Sequence, residues 1–132
     1  MKKILLFLAM MVSIAFLYSF VNTSQGEPWV VPEKYVKLKN PVKADEGSIK
    51  TGKALYERHC QSCHGKTGRG DGTKAASLET EPGDFSTKEF KAQPDGSMFY
   101  KIQAGRDEMP AFKTKIPDEE EIWQVVNYMK TF

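Results

Sequence analysis

Cys60, Cys63 and His64 are the residues whose types and spacing can do chemistry. They lie in the run Cys60-Gln61-Ser62-Cys63-His64. This is C-x-x-C-H, the attachment pattern of a c-type haem. Two thiols three positions apart near a helix end can each add across one haem vinyl group, so that two thioether bonds hold the porphyrin. The histidine that follows is then pinned beside the ring, where its imidazole reaches the iron from one face. Other chemistries fit this run less well. A thioredoxin-like C-x-x-C belongs to a strand–helix alternation, and the sequence offers no convincing strand pair. A structural zinc site wants four Cys or His ligands. Only Cys60, Cys63, His64 and His59 are available, too crowded in sequence to close a tetrahedron. A Cys60–Cys63 disulfide would close a tiny loop and leave His64 without a role.

Such an iron needs a ligand on its other face, and methionine supplies one in many electron carriers. Met1, Met10 and Met11 belong to an apolar N-terminal run. Met129 falls on a helical core stripe, where methionine is ordinary filler. Met98 lies near the start of a predicted helix, with packing as its default role. Met109 lies in a loop directly before Pro110, whose fixed φ helps hold an irregular segment in place. We take Met109 as the second ligand. His59 precedes Cys60 and should point away from the iron; it reads as a surface or packing histidine.

These residues must be held by helices. Asp45 and Ser48 are both plausible N-caps for a first helix over about Ser48–His59 that delivers the motif. Ile49, Gly52 and Tyr56 share one of its faces. Gly52 costs helix stability, which close approach of another helix would compensate. Residues 65–96 read as loop. Gly65, Gly68, Gly70 and Gly72 permit tight turns, and no Lys-Ser/Thr ending makes them a phosphate loop. Ala75 to Leu78 form a short helical turn, and Phe85 and Phe90 are wall residues. A second helix over about Ser97–Ala104 stops at Gly105, with Phe99 and Ile102 inward. A last helix starts at Asp118, with Glu121 completing a capping-box-like start. Its core stripe is Ile122, Val125, Val126 and Met129, flanked by Trp123 and Tyr128.

The 132 residues predict one domain. Residues 1–23 read as a signal peptide or N-terminal membrane anchor. Lys2 and Lys3 precede an 18-residue apolar run, Ile4 to Val21, broken only by Ser13 and Ser19. Its length and poor cleavage pattern favour an uncleaved anchor over a cleaved signal. Either way Lys2 and Lys3 stay inside and the rest is exported. The expected location is periplasmic, tethered to the outer face of the cytoplasmic membrane through residues 4–21. Beyond residue 23 the chain carries 17 basic and 17 acidic side chains. That balance, with no basic patch, argues against nucleic acid as a partner. Residues 24–45 form an extended, proline-containing tether or arm, because Pro28, Pro32 and Pro41 forbid a continuous helix. Trp29, Val30, Val31, Tyr35 and Val36 are too apolar for a pure linker, so we expect the arm to pack partly on the domain.

Taken together, Cys60-Gln61-Ser62-Cys63-His64-Gly65, Gly68-x-Gly70-Asp71-Gly72 and Met109-Pro110-Ala111-Phe112 resemble a class I cytochrome c of the small bacterial monohaem type. The resemblance covers about residues 46–132. It implies an all-α bundle around one covalently attached haem c, with Cys60, Cys63, His64 and Met109 binding the cofactor and His64 and Met109 ligating its iron. It also implies that Gly52 and Tyr56 cross Val125 and Tyr128 of the last helix. In that family a loop carbonyl, often a proline's, accepts the hydrogen bond of the proximal imidazole. Thr73 stands where that proline is expected. Arg106 could pair with a haem propionate.

The expected function is one-electron transfer in an exported respiratory chain, without catalysis, between redox partner proteins such as a respiratory complex or a terminal oxidase or reductase. Two readings stay open beside it. One is a haem-based gas-sensing or enzymatic module with a labile distal methionine. The other is a cytochrome subunit of a larger respiratory complex.

Overall fold

The computed structural model describes residues 28–132, and within them the chain is helical, with one isolated backbone bridge between Arg106 and Met109. The apolar segment expected to be a signal or anchor lies outside the described residues, as does the start of the arm. Among the described residues, no helix is long and apolar enough to cross a membrane. The elements are α1 (Glu33–Val36), α2 (Glu46–His59), α3 (Gln61–His64), a 3-10 turn (Ala75–Ser77), α4 (Lys88–Lys91), α5 (Asp95–Ala104) and α6 (Glu119–Met129).

Local chemistry sets the ends of the long helices. The Asp45 carboxylate accepts from Ser48 N at 3.0 Å, so α2 begins two residues before the expected Ser48. At its other end Cys60 N donates to Tyr56 O at 2.8 Å, and the chain turns at once into α3. Helix α5 starts after Pro94 and stops at Gly105, whose φ of 65° suits glycine. Asp118 caps α6 by accepting from Glu120 N at 2.9 Å, rather than from Glu121 as a capping box requires. The acidic first turn of α6 complements the positive end of its dipole.

Helices α2 and α6 pack against each other along the predicted stripe. Ile122, Val125, Val126 and Met129 are all buried, each worth about 1.5–3 kcal/mol against exposure. Gly52 is where the two backbones meet: a Cβ there would run into the Gln124 carbonyl and press on Tyr128 Cβ. Tyr56 lies wholly buried beside this contact, with its ring 5.4 Å from that of Tyr128.

One buried group breaks the apolar pattern of α6. Asn127 donates to Val42 O at 3.1 Å and to Ser48 Oγ at 2.8 Å, and accepts from Asn40 Nδ2 at 2.8 Å. Its whole amide is used, which is what permits its burial. These bonds tie residues 40–42 to both long helices. Farther back, α1 lies on α5, where the Tyr35 ring is 4.7 Å from Tyr100 and 6.4 Å from Phe99.

Candidate functional site

Helix α3 is one turn long and holds the motif. Its last carbonyls lack partners within the helix, and the following loop supplies them. Gly70 N donates to His64 O at 3.0 Å, Gly72 N to Cys63 O at 3.1 Å, and Lys74 N to Ser62 O at 2.8 Å. The loop backbone therefore runs directly along α3. Gly72 is required there, because any Cβ would strike the Ser62 and Cys63 carbonyls. The Tyr56 hydroxyl donates to Gly65 O at 2.8 Å and fixes the exit from the motif to α2.

Cys60 is buried, Cys63 half-buried, and both thiols are free. Burial, and then the neighbouring Cys63, push the Cys60 thiol up to about 12. A redox-active C-x-x-C works through a lowered thiol pKa, so this environment speaks against thiol–disulfide exchange. Among the described residues, no three His, Cys, Asp or Glu side chains gather as a metal-holding group.

His64 lies tilted against Phe85 at 4.5 Å, and Phe85 stacks on Phe90 at 4.4 Å. Burial lowers the His64 pKa and favours the neutral imidazole that can bind a metal. The Pro82 backbone opposes this shift, and Nδ1 is buried without a hydrogen-bond partner. The backbone group that acts on the imidazole is that of Pro82, which lines both cavities with His64. Gly72 and Lys74, on either side of Thr73, both donate to carbonyls of α3.

Two cavities of ≈ 450 and ≈ 590 Å³ share Trp29, His64, Pro82, Gly83 and Met109 in their walls. Both lie within the size range of cofactor pockets. The smaller is mainly apolar, walled by Phe85, Phe90, Met98, Ile102 and Met129. The larger reaches Cys60, Cys63, His59 and Arg106. The structure therefore gathers His64 and Met109 at the junction, with both cysteines in the adjoining wall. Met98 and Met129 face only the apolar cavity, from α5 and α6. Met109 sits on a tight turn in which Arg106 N donates to Met109 O, and Met109 N to Arg106 O, both at 2.9 Å. His59 packs edge-on to Phe112 at 6.1 Å.

Three wall features escape the sequence. Pro82 lines both cavities beside His64. Glu108 bonds across the cavity mouth to the backbone of residues 79 and 80. Trp29 places its indole 4.8 Å from the Arg106 guanidinium and 5.7 Å from Lys101 Nζ. Only Trp29 left a signal, in the apolar character of the arm.

A family model described as cytochrome c oxidase, cbb3-type, subunit III matches residues 47–129. Among solved structures, a chain of the reducing HAO-like protein complex of Kuenenia stuttgartiensis is similar, with a TM-score of 0.64 and 30% identity over 81% of this chain and 50% of that one. The sequence therefore spans about half the length of that solved chain. No curated protein matches. The residues present fit a covalently held haem: two free thiols, a buried neutral imidazole, a thioether and apolar walls meet at one pair of cavities.

Proposed function

The chain belongs to the family of cytochrome c oxidase, cbb3-type, subunit III, a c-type cytochrome domain, and on that premise we propose that it is a one-electron carrier. Such a haem, when bound, supplies an iron that alternates between Fe(II) and Fe(III). Cys60 and Cys63 would hold it through thioether bonds, and His64 and Met109 would ligate its iron. The observation that carries this reading is the meeting of His64 and Met109 in the shared wall of two cavities otherwise lined by aromatic and aliphatic groups. Two protein ligands leave no position for a substrate. Apolar walls exclude water, and together with methionine ligation they favour the reduced state and raise the potential. Phe85, Phe90, Ile102 and Met98 supply that exclusion.

The proposed setting is the periplasmic side of the cytoplasmic membrane, with residues 4–21 as tether and redox proteins as partners. The similarity to a chain of a multi-subunit complex favours a second reading, in which this domain serves as the cytochrome subunit of a larger assembly.

The test is the optical spectrum of the purified reduced protein with and without carbon monoxide. No change is expected in the wild type or in Met98→Ala, and a complete shift in Met109→Ala. A rapid shift in the wild type would mean a labile distal site and would favour the sensor or enzyme reading. A shift in Met98→Ala alone would move the ligand to α5.

A further inference from the structure

The segment that places Pro82 beside His64 has little to hold it. Among the described residues, no backbone–backbone hydrogen bond reaches residues 79–84; the ladder stops at Leu78 N to Ala75 O and resumes at Phe85 N to Gly68 O. Segments so poorly bonded open easily. Across the mouth of the larger cavity stands the turn Arg106–Met109. It is closed on itself by its paired backbone bonds, and Asp107 has a φ of 51°. The Glu108 side chain connects the two walls. Glu108 Oε2 accepts from Glu79 N at 2.8 Å and from Thr80 N at 3.0 Å. Hydrogen bonds to a charged acceptor are about twice as strong as neutral ones.

We infer that Glu108 is a positioning residue: it ties the turn that carries Met109 to the segment that carries Pro82, and so sets the gap between the two walls that flank His64. Glu108 and Met109 are neighbours in a turn closed by the paired backbone groups of Arg106 and Met109. A shift of the carboxylate is therefore passed to Met109 rather than absorbed between them. The same carboxylate holds Glu79 and Thr80, only a few residues from the Pro82 carbonyl. The side chain itself stands at the rim, so its role is to hold the ligand-bearing turn against the opposite wall. This inference rests on the reading of Met109 as ligand.

The test uses the haem-loaded full chain as wild type, Glu108→Ala and Glu108→Gln. Ferric protein is titrated with imidazole, which competes with the methionine, and the midpoint potential is measured beside it. Loss of the clamp in Glu108→Ala is expected to raise imidazole affinity about tenfold, the effect of roughly one charge-assisted hydrogen bond, and to lower the potential. Glu108→Gln keeps an oxygen that both N–H groups can reach, and should stay within about threefold of wild type. Wild-type affinity and potential in Glu108→Ala would overturn the inference. Should that variant fail to retain haem, Glu108→Asp, which withdraws the carboxylate by one methylene, carries the same two outcomes. The ferric wild-type spectrum separates the two claims. Absence of a sulfur-to-iron charge-transfer band defeats the Met109 reading and this inference with it. A band present alongside an unshifted Glu108→Ala defeats the clamp alone.

Discussion

Helices α2 and α6 close on each other with no room for a methyl group at Gly52, whereas the loops between α3 and α6 surround two cavities. The first region is completed by the chain's own side chains, from Tyr56 and Val125 to the fully bonded amide of Asn127. The second presents aromatic and aliphatic walls to two cavities. One half of the molecule is thus a closely packed helix pair, and the other is a mould. The difference assigns the stability of each half to a different source. Packing holds the helix pair, and the family's covalent haem would supply the apolar mass the mould lacks.

The largest test of that contrast removes the attachment. Cys60→Ala with Cys63→Ala is expected to abolish cooperative thermal unfolding, followed by far-ultraviolet circular dichroism, because a domain this small is marginal without its cofactor. A sharp transition in that variant would break the comparison by showing that the helix pair suffices. A smaller effect is expected on the packed side. Gly52→Ala would normally gain helix propensity, but here its methyl meets the Gln124 backbone. We expect a loss of about 2 kcal/mol in urea unfolding, with the haem spectrum unchanged. A stabilised variant would mean that the helices are not in close contact.

The smallest effect lies at the boundary between the regions. Burial first, then Cys60, Tyr128 and Asp71, raise the Tyr56 phenol above its ordinary 10.0. A group whose folded pKa is raised contributes stability that is fully present below the unfolded value. That stability falls as pH climbs from there toward the folded value. Wild-type urea midpoints should therefore decline above about pH 10, and Tyr56→Phe should remove part of that decline. At neutral pH the same variant loses the bond to Gly65 O, worth about 1 kcal/mol. An equal alkaline decline in both proteins would assign it to other groups.

What the sequence shows and what it hides divide along a related line. Helices α2, α5 and α6 are legible because their signals are local: the Asp45 and Asp118 caps, the Gly105 stop and the stripe from Ile122 to Met129. The motif and Met109 stand out by type and order. Helix α1 is not legible, since one turn between Pro32 and Pro41 has no periodicity and gains its order from Tyr35 lying on Phe99 and Tyr100. Asn127 on an apolar helix reads as a fault until Asn40, Val42 and Ser48 are brought to it by the fold. Pro82 is hidden for the same reason. Which backbone group reaches the imidazole depends on where a loop returns, and the loop places Pro82 in the cavity wall beside His64.

The contacts of residues 28–45 carry a mechanical consequence. From the N-terminal side they are met in series: Trp29 at the cavity wall, then Tyr35 on α5, then Asn40 on α6. A pull from that side loads them one at a time, as in peeling, rather than all together, as in shear. The indole stacked over Arg106 yields first, and the amide pair of Asn40 and Asn127 yields last. Tension on this chain would thus uncover the cavity long before it disturbs the helix pair.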